Sequence, residues 1–520
     1  MKKLALVSVH NKEGIVNCVR ELVEKYNYDI LTTGGTATIL RNNNISVTEV
    51  SDVTKFPEML EGRVKTLHPV IHAGVLAKRN KSLHMETIAR NNIRPIDLVI
   101  VNLYPFEEVS SKPNISIDEI IDNIDIGGPT LIRSAAKNYS DVTVISSPSD
   151  YPALLKELAE NNGKTSLKFR ESLLLKAFQR TSSYDTSITN YFLNHMNVVD
   201  KSKNGFPNDL NLNLKLKTTL RYGENPHQNA ALYLLPNSRA GLANAELLQG
   251  KELSFNNYLD LESAWNIASE FNVSTPVAVI VKHNSPCGVA IAPDLHQAYS
   301  EALYADSVSA FGGIVAFNNV VDTKVASETT KIFLEAVIAP NYTSEALELF
   351  KKKPNLRILK IEPHMDGVNG LDIKVINEGF LIQNNNRLTL NLSDLKVVTQ
   401  RKLSQQEMVD AVFVWKVCKH VKSNAIVVGK GGKTLGIGAG QTSRIGAVEI
   451  ALNQANYNSK GAVLASDGFF PFQDSVEAAS QAGISAMIQP GGSKKDQEVI
   501  DACNKYDIAM VFTGIRQFKH

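Results

Sequence analysis

The stretch KLALVSVHNKEG, residues 3–14, decides how the first part of the chain folds. Its apolar run stops at His10, Asn11, Lys12 and Glu13, well short of the hydrophobic segment a secretion signal needs. The run therefore reads as a buried strand that delivers polar side chains at its carboxyl end. The same pattern recurs in YDILTT (28–33), DLVIVNLYPF (97–106) and DVTVISS (141–147). Each run leads into polar or glycine-containing residues, mostly followed by helical periodicity, as in a parallel sheet with crossover helices.

Working outward, 520 residues with 43% hydrophobic and 21% charged side chains describe a globular chain of several domains. A net charge of +2 shows no polybasic surface, so neither nucleic acid nor membrane is expected as a partner. No window is long and apolar enough to span a bilayer, and the protein reads as cytoplasmic. Cys18, Cys287, Cys418 and Cys503 stand alone, never as C-x-x-C, and are expected as reduced thiols. The segment KFRESLLLKAFQRTSSYDTSITNYFLNHM (168–196) reads as helix, and the polar NVVDKSKNGFPNDLNLNLKLK (197–217) as linker. The boundary is placed so that 1–199 and 200–520 form separate domains. Strand-like runs return in PVAVIVKHN, GGIVAFNN, NAIVVGKGGKTLGIGAG, GAVLASDGFFPF, SAMIQP and IAMVFTG. The residues Lys430-Gly431-Gly432-Lys433 predict a hairpin, so this second α/β unit, in two lobes, should contain mixed sheets. No repeat period stands out in the sequence.

Chemistry-bearing residues gather at strand ends. LTTGGTA (31–37) puts Thr33, Gly34, Gly35 and Thr36 where backbone amides and hydroxyls can cradle a phosphate, and Lys12 adds a cation at the exit of the first strand. EGRVKTLHP offers Arg63, Lys65, Thr66 and His68 with no amphipathic pattern to explain them. NLYPF supplies Asn102 and Tyr104, and IDIGGPTLIRSAAKN supplies Asp125, the pair Gly127 and Gly128, Arg133 and Lys137. A lysine, a tyrosine and an aspartate near an anchored phosphate can serve as acid, base and charge stabiliser.

In the second half, RYGENPHQ (221–228) suits a binding loop, and KHNSPCG places Lys282 and His283 at a strand exit with partial burial. SAFGGIVAF permits close backbone approach at its glycine pair. Two nucleotide motifs fail on inspection. In GKGGKT the first glycine of a P-loop falls on Val427, and in GIGAGQTSR the third glycine of a dinucleotide fingerprint falls on Gln441. HNSPCGVA shadows a zinc deaminase signature, but Ser285 replaces the acid and Ala290 the second cysteine. A zinc-type deaminase with a regulatory phosphate-binding N-terminal half is nonetheless the rival reading.

In chain order, SVHNKEG, TGGTA, GRVKTLHP, NLYPF, IDIGGPTLIRSAAKN, RYGENPHQ, KHNSPCG, SAFGG, GIGAGQTSR, SDGFFPF and TGIRQF resemble the bifunctional AICAR transformylase / IMP cyclohydrolase family of purine biosynthesis, from end to end. The resemblance implies an N-terminal doubly wound α/β domain of methylglyoxal-synthase-like fold and a C-terminal unit of two cytidine-deaminase-like lobes. It implies that His283 assists deprotonation of the AICAR amine, that Lys282 protonates the leaving folate nitrogen, and that Asn424 steadies the developing oxyanion. Arg221, Tyr222, Asn257, Phe311, Gly312, Glu335, Arg444, Phe469, Asp474 and Arg516 match substrate-binding positions, with the phosphate expected on the arginines. For ring closure the implied catalytic set is Lys65, Tyr104, Asp125 and Lys137. The phosphate and ribose pocket matches Ser8, Lys12, Thr33, Gly34, Gly35, Thr36, Arg63 and Thr66. The ligands so implied are AICAR, FAICAR, IMP and 10-formyltetrahydrofolate as cosubstrate, on a homodimer, with no tightly bound cofactor or metal; a monovalent cation is left open. Two positions depart from the family pattern. His10 stands where many relatives carry a small hydroxyl residue and is left unassigned, and Phe255 stands where a tyrosine is common.

Overall fold

In a computed structural model the residues described are 2–57, 60, 64, 66–195, 205–235, 240–362 and 370–520. They fall into two compact units, Met1–Asn213 and Leu214–His520. The division expected at 199/200 lies outside the described residues.

In the first unit, β1 (Lys3–Val9), β2 (Tyr28–Thr32), β3 (Thr48–Glu49), β4 (Leu98–Asn102) and β5 (Thr143–Ile145) make one sheet in the order β3-β2-β1-β4-β5. Every pairing is parallel, as the apolar runs predict. Each of the five β4 residues is buried, because the strand has a neighbour on both sides and helices above and below. Gly14, at φ 68°, lets the chain turn from the exit of β1 into helix Ile15–Glu24. That helix buries the stripe Ile15, Cys18, Val19 and Leu22 at helical spacing. The predicted long helix spans Leu167–His195 and contributes Leu173, Ala177 and Tyr184 to the core. From β1 the chain winds outward to β2 and β3, and then returns to lay β4 and β5 on the other side. The crevice at the carboxyl ends of β1 and β4 is the switch point where open α/β sheets bind ligands.

The second unit contains a twelve-stranded sheet whose two halves repeat one order of elements. In the first half, helix Phe255–Ala268 leads into hairpin Val277–Lys282/Ser285–Ile291 and helix Leu295–Ala305. Strands Ile314–Phe317, Ala336–Ala339 and Arg357–Lys360 follow with helices between them. In the second half, helix Gln405–Cys418 leads into hairpin Ile426–Lys430/Lys433–Gly438 and helix Arg444–Ala455. Strands Val463–Ser466, Ala486–Gln489 and Ala509–Phe512 follow. The inner strands of the two hairpins pair antiparallel through Ala290 and Lys433, so one sheet runs unbroken across both halves. Alternation sorts the side chains: Val277, Val279 and Val281 enter a core shared by both halves, whereas Ala278 and Ile280 enter a core of the first half alone.

Glycines repeat where helix meets hairpin. A Cβ at Gly288 would lie 1.9 Å from the Ala302 carbonyl oxygen, and one at Gly436 would lie 1.9 Å from that of Ala451. The predicted 430–433 hairpin is present, turning on Gly431 and Gly432 at φ 61° and 73°. The exit of Val277–Lys282 differs from expectation. It is a second two-residue hairpin, with His283 and Asn284 at φ 53° and 61°, the backbone of a type I′ turn. Asn284 tolerates that conformation, and its amide donates to Asp260 Oδ1 at 2.6 Å, as the amide of Gly432 donates to Asp410 Oδ1 at 3.0 Å. Among the described residues no helix is long and apolar enough to cross a membrane.

Candidate functional site

The switch point of the first unit collects most of its expected residues. Helix Gly34–Asn42 starts from Thr33, and a Cβ at Gly35 would meet nothing within 4 Å, so the helix amides face open space. Ser8 and Thr33 share a hydroxyl hydrogen bond of 2.9 Å across β1 and β2. Lys12 folds over this corner, donating to the Val9 carbonyl and, at 3.0 Å, to Thr36 Oγ1. A cavity of about 240 Å³ opens beside it, reaching from Thr33 and Gly34 to Phe56 and His68. The His68 Nδ1 atom accepts from the Val70 amide at 3.2 Å, capping helix Pro69–Leu76.

Asp125 is the best-buried acid of this corner. Its Oδ1 accepts from Gly128 N at 2.8 Å, its Oδ2 from Tyr104 N at 3.4 Å, and its own amide donates to the Tyr184 hydroxyl at 2.8 Å. Burial raises the Asp125 pKa above the ordinary carboxylate range, against the pull of those two amides and of His10. No side chain fits at Gly128, where a Cβ would lie 2.4 Å from Asp125 Oδ2, or at Gly127, where it would lie 2.9 Å from Thr66 Oγ1. The glycine pair therefore lets helix Gly127–Lys137 start against both side chains. Tyr104 is exposed, and its ring meets that of His10 edge-on at 5.1 Å. Asn102 serves the framework: its Oδ1 accepts from the amides of His10 and Asn11 at 2.6 and 2.9 Å. Lys137 is not brought to this corner. It is exposed at the far end of its eleven-residue helix, about 15 Å along the axis from Gly127. Arg63 and Lys65 lie outside the described residues.

In the second unit, Lys282 is half-buried and donates to the Phe311 carbonyl at 2.8 Å, while His283 stands exposed on its turn. Phe311 is 60% exposed and packs on Phe333 at 5.5 Å, and Gly312 (φ 74°) donates to the Phe333 carbonyl at 2.8 Å. Glu335 neighbours this group and takes Arg357 at 2.7 Å. Cys287, two residues beyond the turn, is pushed up to about 12 by burial, so its thiol stays protonated.

Asn424 precedes strand Ile426–Lys430 on the same sheet edge. The antiparallel register through Ala290 and Lys433 carries the Lys282–Ser285 turn toward Gly438, the end of the sheet from which Asn424 projects. Three strand spacings separate Lys282 from Asn424, about 14 Å. Asn424 is pinned at both ends of its amide: Nδ2 donates to Gln441 O at 2.8 Å, and Oδ1 accepts from Arg444 Nη2 at 2.7 Å.

Arg444, expected on a phosphate, is instead buried. Its Nη1 donates to Ser466 Oγ at 2.7 Å and to Asp467 Oδ1 at 2.6 Å. The exposed arginines are Arg221, stacked on Tyr222 at 4.6 Å, and Arg516, stacked on Phe518 at 4.5 Å. Phe469 is exposed beside Gly468, where a Cβ would meet both Arg444 and Phe518. Asp474 opens helix Asp474–Gln481 and accepts from Ser475 N at 2.7 Å. Asn257 is buried in a reciprocal cap with Ser254.

Sequence reasoning missed Asp467, Gln441 and Tyr184. Asp467 lay within a quoted motif, but Tyr184 sits mid-helix and has no local signal.

A model described as the AICARFT/IMPCHase bienzyme matches residues 135–454, and an MGS-like domain model matches residues 14–130. The chain is 51% identical over 523 residues to a protein of Caldicellulosiruptor saccharolyticus named bifunctional purine biosynthesis protein PurH, covering 100% of both chains. It is 48% identical over 520 residues to the protein so named in a Nostoc species, and 50% identical over 519 residues to that of Listeria monocytogenes, again covering 100% of both chains.

Proposed function

The chain belongs to the AICARFT/IMPCHase bienzyme family, and from that premise we propose how two consecutive reactions are divided between its two units. It is a bifunctional enzyme of purine biosynthesis, formylating the 5-amino group of AICAR and closing the product, FAICAR, to IMP. We assign formyl transfer to residues 214–520 and ring closure to residues 1–213. One observation carries this assignment: each unit has its own cluster of expected residues at the edge of its own sheet.

For formyl transfer, 10-formyltetrahydrofolate is the proposed donor. The AICAR amine attacks the formyl carbon, His283 accepts the proton that the amine loses, and Lys282 protonates the departing folate nitrogen. Asn424 steadies the developing oxyanion, and an amide fixed by Arg444 and Gln441 needs no reorganisation to do so. Arg221 and Arg516 are the proposed phosphate ligands, because their guanidinium groups reach solvent. Tyr222, Asn257, Phe311, Gly312, Glu335, Phe469 and Asp474 are proposed to shape the site, Asn257 from within the framework.

For ring closure, the phosphate is proposed on the Gly34–Gly35 helix start with Lys12, Ser8, Thr33, Thr36 and Arg63, and the base between Thr66, Tyr104 and Asp125. The carboxamide nitrogen attacks the formyl carbon and water leaves. Lys65, Tyr104 and Asp125 move the protons, and holding both reacting groups on one molecule supplies much of the rate. Lys137 takes no step in this scheme. The enzyme is proposed to act in the cytoplasm as a homodimer; no place is assigned to a monovalent cation.

Incubation with AICAR and 10-formyltetrahydrofolate should yield IMP. Lys282→Ala should abolish formyl transfer and keep FAICAR cyclisation, and Lys65→Ala the reverse. Loss of both activities in either folded variant refutes the division.

A further inference from the structure

The two hairpins of the second unit turn on different residues. At 431–432 both positions that need a positive φ are glycines, which take it freely; at 283–284 they are His283 and Asn284, in a conformation uncommon for any other residue type. The helices that lead into the hairpins hold both turns at one shared point. Asp260 and Asp410, each the sixth residue of its helix, accept the amide of the second turn residue at 2.6 and 3.0 Å. Three residues further along, the halves part. The first has Ser263, which is buried and whose hydroxyl donates to the Asn284 carbonyl at 3.2 Å. The second has Phe413 at that position, packed in the shared core with no group to donate. Asp260 and Ser263, three apart on one helix face, therefore hold Asn284 by both ends of its backbone.

We propose that Asp260 and Ser263 are positioning residues for formyl transfer, which keep the 283–284 turn left-handed and so aim the His283 imidazole. The inference rests on the role proposed for His283 as acceptor of the amine proton. A backbone conformation that is costly for a non-glycine residue persists only where its surroundings fix it. The extra tie occurs in the half whose turn has no glycine, and is missing where glycines make it unnecessary. His283 is exposed, so the backbone that carries it, rather than packing around the ring, sets where the imidazole points.

The test measures kcat and KM for AICAR with 10-formyltetrahydrofolate in the full chain, with FAICAR cyclisation as the internal reference. Asp260→Ala should lower kcat for formyl transfer roughly tenfold with little change in KM, and should leave cyclisation untouched. Asp260→Asn keeps an oxygen to accept the Asn284 amide and should stay within about threefold of the parent. Asp410→Ala removes the same hydrogen bond from the other turn; it should lower the urea midpoint but leave kcat within about twofold. An Asp260→Ala variant as fast as the parent overturns the proposal. So does an equal loss of formyl transfer in Asp260→Ala and Asp410→Ala, or an Asp260→Asn variant as slow as Asp260→Ala. If Asp260→Ala does not fold, Ser263→Ala carries the test, with about a threefold loss of kcat expected and an unchanged kcat overturning the proposal. A parent that does not formylate AICAR, or a His283→Ala variant as active as the parent, refutes the role given to His283 and the inference with it.

Discussion

Arg444→Lys separates the holding of Asn424 from the chemistry proposed for it. The guanidinium is 6% exposed and donates to three acceptors, Ser466 Oγ, Asp467 Oδ1 and Asn424 Oδ1, at 2.7, 2.6 and 2.7 Å. A lysine keeps the charge beside Asp467, which is fully buried, but its single ammonium cannot reproduce the planar fork. Two charge-assisted hydrogen bonds are lost, a stability cost of roughly 3 kcal/mol. Asn424 then turns freely on its remaining bond to Gln441. A misaligned oxyanion donor costs about 100-fold in kcat when it is removed outright, so a reorienting one should cost about tenfold. Urea unfolding measures the first effect. Formyl transfer assayed beside FAICAR cyclisation measures the second, and cyclisation should be unchanged. If the variant is destabilised yet transfers formyl groups within about twofold of the parent, the orienting role of Arg444 is refuted.

Three further substitutions test other parts of the structure. Gly288→Ala should cost at least about 3 kcal/mol, seen as lost soluble yield or a lower urea midpoint, because the new methyl would overlap the Ala302 carbonyl. Gly35→Ala should fold normally, since its Cβ enters open space, but should raise KM for FAICAR roughly tenfold by occupying ground proposed for the phosphate; an unchanged KM counts against that placement. Glu270→Gln probes the buried node where Glu270 meets Lys419 at 2.6 Å and His420 at 2.9 Å. Burial alone would raise this carboxyl, but the two partners hold it at about 2, below its ordinary 4.5. Its stabilisation is therefore complete above pH 4.5 and fades as pH falls toward 2. The urea midpoints of parent and variant should differ most near pH 6 and converge in acid, and a constant gap would contradict the shift.

Much of this was legible in the sequence where a local rule applied. Strands of the first unit announced themselves because central parallel strands are apolar on both faces. The 430–433 turn was visible because two glycines between apolar runs leave little choice. Its counterpart at 283–284 was hidden, since neither His283 nor Asn284 is a glycine, and the side chain proposed to take the amine proton occupies the turn itself. The two lobes of the second unit were implied by the resemblance, but no periodic signal marked them, because the halves share an order of elements and a few positions, such as Gly288 with Gly436 and Asp260 with Asp410, rather than a repeating sequence. The resemblance placed Arg444 among the phosphate ligands, and nothing local revealed that Asp467, 23 residues on, would face it. Tyr184 reaches Asp125 only through the packing of a long helix, and no spacing rule encodes that contact.

The unbroken sheet has a mechanical consequence. A span bridged by hydrogen-bonded strands does not flex like two bodies joined by a hinge, so the gap between Lys282 and Asn424 behaves as a fixed gauge. Under the proposed roles, which meet at one formyl carbon, the pinned Asn424 amide stays still and the flexible Lys282 stem has to close the distance, so the scaffold sets one fixed point and leaves one moving arm.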